Sequence, residues 1–159
     1  MKAAVAVLVF AGLAVVSAVA RADDRIWLGL DYETGASLVY GVPESDDAPI
    51  AFVCELPGRD LILDMSLGEA FRPQSGKVDV KITAPPTKDS LALTGEVQVS
   101  EEVGDTILEV HGQLTPALSN MLAKGKELII TVGREKRTFP LAGAKDGMRP
   151  LASACGEPT

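Results

Sequence analysis

The feature that most constrains this chain is a period of two. In residues 77–83, KVDVKIT, Val78, Val80 and Ile82 alternate with Lys77, Asp79 and Lys81. In residues 90–100, SLALTGEVQVS, Leu91, Leu93, Val97 and Val99 share one side, with Thr94, Glu96 and Gln98 opposite. Residues 60–66 send Leu61, Leu63 and Met65 one way, and residues 127–133 do the same with Leu128, Ile130 and Val132. In residues 106–114, Leu108, Val110 and Leu114 lie together, which leaves Glu109, His111 and Gln113 for water. Successive side chains of a strand point to opposite faces, so this alternation describes half-buried antiparallel strands. IWLGL, SLVYG and PIAFVC read as further strands, and Gly or Pro stands between most of the runs. The pattern predicts an all-β fold, an antiparallel sandwich or barrel of about eight or nine strands.

Two segments depart from that period. Residues 115–124 place Thr115 as an N-cap, Pro116 at the first helical position and Gly125 as the stop, with Leu118, Met121 and Leu122 on one face. In residues 146–155, Met148, Leu151, Ala152 and Cys155 recur with helical spacing. Pro150 is tolerable only near the start of a helix, so this one should begin close to Asp146, which could cap it.

The N-terminus says where the chain works. Lys2 precedes a run dominated by Ala, Val and Leu that closes on Ala20-Arg21-Ala22. This is the pattern of a cleaved secretory leader over residues 1–22, followed by a single β-rich domain over 23–159. The run from Ala3 to Ala20 is at the short edge of a membrane span, but it is Ala-rich and is followed by Asp23-Asp24 rather than by basic residues. The expected location is periplasmic or secreted, with no stable membrane insertion after cleavage. The leader carries Lys2 and Arg21 and no acid, so its removal takes the net charge from −7 to −9. That sign disfavours nucleic acid and anionic membranes and favours a basic protein as partner.

An exported chain with two cysteines is expected to join them, here Cys54 to Cys155, 101 residues apart. Closing a loop near 100 residues stabilises the folded state by about 4–5 kcal/mol on loop-closure entropy. Cys54 ends the apolar run Ile50-Ala51-Phe52-Val53, and Cys155 lies on the apolar face of the terminal helix, so the bond would staple that helix to the sheet.

Catalytic patterns are lacking. The sequence holds one histidine, His111, and it alternates onto the solvent side of its strand. No G-x-S-x-G elbow, metal-binding histidine pair, C-x-x-C or phosphate loop occurs. No metal and no cofactor is expected. Residues 40–49, YGVPESDDAP, gather Glu44, Asp46 and Asp47 between two prolines. Such a loop is an ordinary strand connection, an acidic surface for a basic partner, or a calcium site, although its spacing departs from an EF-hand.

The combination of Tyr40-Gly41-x-Pro43-x-Ser45-Asp46-Asp47, Phe52-x-Cys54 and Leu151-x-x-x-Cys155 resembles a group of small exported bacterial proteins known only as hypothetical proteins. That resemblance implies the same cysteine pairing and no particular activity. FVCELPGRDLIL, with Phe52, Cys54, Gly58 and Leu61, is more distantly similar to the periplasmic inhibitors of C-type lysozymes, which are small disulfide-bonded β-barrels. Their inhibitory loop is of a Ser-Gly-x-x-Tyr type; this chain offers Ser75-Gly76-Lys77, and no tyrosine follows. The expected function is that of an exported, non-enzymatic β module that binds a protein or envelope component or has a structural role. The alternative is an inhibitor of a basic periplasmic hydrolase such as lysozyme.

Overall fold

The structure is a computed structural model that describes residues 24–101 and 104–156. The leader expected over residues 1–22 lies outside the described residues. Nine strands follow in chain order: β1 Ile26–Tyr32, β2 Gly35–Gly41, β3 Ile50–Glu55, β4 Asp60–Ser66, β5 Gly76–Thr83, β6 Ser90–Val99, β7 Thr106–Gly112, β8 Glu127–Val132 and β9 Glu135–Pro140. All pair antiparallel in one continuous sheet of order β1-β2-β3-β4-β7-β6-β5-β8-β9. The sheet curls into a half-barrel, so the sandwich alternative is set aside.

The alternation read from the sequence sets which face turns inward. Leu61, Leu63 and Met65 of β4, Leu108 and Val110 of β7, Val80 and Ile82 of β5, and Leu128, Ile130 and Val132 of β8 are all buried on the concave side. Curling brings the two ends of the sheet together through side chains. The Trp27 indole N–H of β1 donates to the Pro140 carbonyl at the end of β9 (2.6 Å). Tyr40 packs between Trp27 (ring centroids 5.2 Å apart) and the edge of Phe139 (6.0 Å). The two outer strands nevertheless differ. β9 carries Glu135, Lys136 and Arg137 and ends at Pro140, whereas β1 exposes Ile26, Leu30 and Tyr32.

Three short helices cover the concave side: α1 Pro116–Lys124, α2 Ala144–Gly147 and α3 Arg149–Cys155. In α1 the Thr115 hydroxyl accepts from the Leu118 N–H, and Gly125 N–H donates to Met121 O (2.8 Å). A side chain at Gly125 would collide with Ala84 and Leu141, so close packing requires the glycine. Leu118, Met121 and Leu122 are buried, as the spacing demands.

The terminal helix is corrected in one respect. The expected single helix over 146–155 is two, broken around Met148, and Asp146 lies inside α2 instead of capping it. Pro150 has no N–H to continue a ladder from the preceding turn, so the chain restarts with Pro150 in the first turn of α3. Asp146 instead accepts from Arg149 Nη2 (2.7 Å). The junction of α2 and α3 sits on β1 because two glycines meet there: a Cβ on Gly29 would collide with the Gly147 carbonyl oxygen. From this seat α3 crosses β1, β2 and β3, with Leu151 wholly buried.

Cys54 and Cys155 are bonded, with sulfurs 2.07 Å and Cα atoms 5.8 Å apart. The bond joins the end of α3 to the inner face of β3. Among the described residues no helix is long and apolar enough to cross a membrane.

Replacing both cysteines, Cys54→Ser with Cys155→Ser, should lower the unfolding free energy by about 2–5 kcal/mol. Urea denaturation of the two proteins measures this, and coincident midpoints would contradict it.

Candidate functional site

The acidic loop joins β2 to β3 and is braced from inside. Val42 N–H donates to Asp47 O (2.9 Å), Ser45 Oγ donates to Val42 O (2.9 Å), and Asp47 N–H donates to Ser45 Oγ (3.2 Å). The Asp47 carboxylate takes a two-pronged contact from the Arg25 guanidinium at 2.9–3.2 Å. Asp47 thus ties the loop to the segment leading into β1. Glu44 and Asp46 are exposed beside it, so the three acids differ in their work. Among the described residues no three His, Cys, Asp or Glu side chains gather as metal ligands.

The convex face of the sheet presents a second, larger arrangement. Strand register aligns one row across it: Leu28, Val39, Ala51, Asp64, Glu109, Glu96 and Lys77, on β1, β2, β3, β4, β7, β6 and β5. The neighbouring row reads Leu30, Ser37, Val53, Ile62 and His111. The convex surface therefore changes from apolar over β1–β3 to acidic over β4, β7 and β6. Ile26 and Tyr32 extend the apolar part along β1, being 48% and 41% exposed.

Three carboxylates directly opposite one another in a ladder repel. Asp64 shows the effect: partial burial first, then the Glu109 charge, holds its carboxyl above the usual carboxylate value. His111 relieves part of it. Its Nε2 lies 2.6 Å from Glu109 Oε1, and this hydrogen bond raises the imidazole above its ordinary 6.5. The histidine that the alternation sent to solvent is indeed exposed, and it serves as the local counter-charge to the carboxylates.

In the sequence the loop acids Glu44, Asp46 and Asp47 stand close together, whereas Asp64, Glu96 and Glu109 are far apart. Each lies on the polar side of its own alternation. Only the order β4-β7-β6 brings them together, and no local pattern encodes that order. Comparison with protein-family models, curated proteins and solved structures gives no match.

Because the folded state raises the His111 value, protonated His111 contributes stability that is fully present below pH 6.5 and is lost as pH rises through the higher folded value. An NMR titration of the imidazole should give a midpoint above 6.5 that falls back in Glu109→Gln. A midpoint unmoved by that substitution would contradict the pairing.

Proposed function

We propose that this chain is an exported, non-enzymatic binding module whose convex sheet face receives a basic protein partner. The observation that carries the reading is the row Asp64–Glu109–Glu96 beside an apolar surface on β1–β3. Aligned like charges oppose folding, and a cationic partner would turn that repulsion into attraction. Exposed apolar area on a strongly acidic protein supplies the dehydrated contact that charge alone does not. A partner that combines Lys or Arg with an apolar ridge matches both parts. The negative charge of the chain would speed its approach, with sensitivity to salt.

The same surface supports the alternative in which the basic partner is a hydrolase such as lysozyme and binding blocks it. In that case the acidic row would meet the basic surface of the enzyme, and Glu44 and Asp46 would contribute from the rim.

An amphipathic peptide with lysines on one face and leucines on the other is a suitable probe. NMR shift changes should concentrate on outward residues of β1, β4, β7 and β6. Asp64→Asn combined with Glu96→Gln and Glu109→Gln should weaken binding by about tenfold, since exposed pairs contribute about 0.2–1 kcal/mol each. Unchanged affinity, or shifts confined to other surfaces, would overturn the reading. A lysozyme turnover assay with the intact protein distinguishes inhibition from simple binding.

A further inference from the structure

The concave side holds a feature that the convex-face reading does not use. Between α1 and the sheet lies a small cleft of about 80 Å³ that opens to solvent. Phe52, Leu63, Leu91, Leu93, Val110 and Leu118 supply most of its wall. Leu91 and Leu93 belong to the inward alternation of β6 yet remain only half-buried, whereas Leu63, Ile82 and Val110 are buried. Helix α1 therefore covers this part of the concave face incompletely.

The mouth differs in chemistry from the interior. Gln113 and Thr115 line both the cleft and an adjoining recess, whose other walls include Arg59, Leu114, Pro116 and Gly156. Arg59 Nη1 donates to Gly156 O (3.0 Å), which holds the guanidinium at this recess on an otherwise acidic protein. The Thr115 hydroxyl oxygen already accepts from Leu118 N–H, leaving its own O–H as a donor. Gly112 leaves open space at the rim where a side chain would stand.

An apolar slot beside a cation and two polar side chains selects for an amphipathic ligand. We propose that this cleft binds a single straight alkyl chain bearing a carboxylate, with the chain against Leu91, Leu93 and Leu118 and the head group at Arg59 and Gln113. Apolar lining alone would accept any hydrocarbon. Arg59, in the adjoining recess, supplies charge complementarity to an anionic end, and a volume this small suits a single short chain.

Calorimetric titration of the folded protein with straight-chain carboxylates of increasing length, kept below their micelle concentrations, tests this. Each added methylene should tighten binding about fourfold until the cleft is filled, after which the gain should stop. Matched alcohols should bind more weakly. Arg59→Gln, a change at an exposed position, should bring carboxylate affinity down to that of the alcohol and leave the alcohol unchanged. Leu93→Trp should fill the cleft and abolish both. Absence of saturable binding by the native protein overturns the proposal, as does equal affinity for alcohol and carboxylate. If Leu93→Trp does not fold, the length series and Arg59→Gln decide the matter. Substitutions at Asp64, Glu96 and Glu109 should leave these affinities unaltered, which separates this site from the convex face.

Discussion

The bond between Cys54 and Cys155 holds the last helix against the strands that need it most. β1, β2 and β3 form one end of an open sheet, and their inward residues include Trp27, Leu38, Phe52 and Cys54. A curled sheet that does not close leaves such residues exposed unless another element lies over them. Here α3 supplies that cover, and its position follows from three contacts of different kinds. The Gly29–Gly147 approach sets its depth, Leu151 provides the buried apolar anchor, and the disulfide prevents its departure. A short terminal helix would otherwise be prone to fray.

That arrangement assigns different roles to the two faces of the sheet. The concave face is covered by helices, with a cleft left beside α1. The convex face has no covering element among the described residues, and its composition changes along the strand order. Its apolar part lies on the outermost strand β1 and its neighbours, where exposed apolar side chains on an edge are an association hazard. The opposite edge, β9, is protected by charge and by proline.

Much of this fold is visible in the sequence because burial is periodic. The inward residues of β4, β5, β6, β7 and β8 follow from alternation, and α1 follows from Thr115, Pro116 and Gly125. β9 is harder to see because, among Glu135, Lys136, Arg137, Thr138 and Phe139, only Phe139 is buried. The break in the terminal helix follows from Pro150, but Asp146 taken as a cap points to too late a start. Strand order is not visible, since β4 pairs with β7 across a long separation and nothing local specifies it. The site is less legible than the fold for the same reason. Glu44, Asp46 and Asp47 are conspicuous because they are adjacent in sequence, yet Asp47 is engaged by Arg25. Asp64, Glu96 and Glu109 are adjacent only in space.

Amide hydrogen exchange with the disulfide intact and then reduced tests most directly whether the tail is the closure of the sheet. Reduction should first release the α3 amides of Ala152 and Gly156, which donate to Met148 O and Ala152 O, together with amides of β1–β3. Amides of β5 and β8 around Ile82 and Ile130 should keep their protection. Uniform loss across all nine strands, or an α3 that stays protected after reduction, would contradict the account.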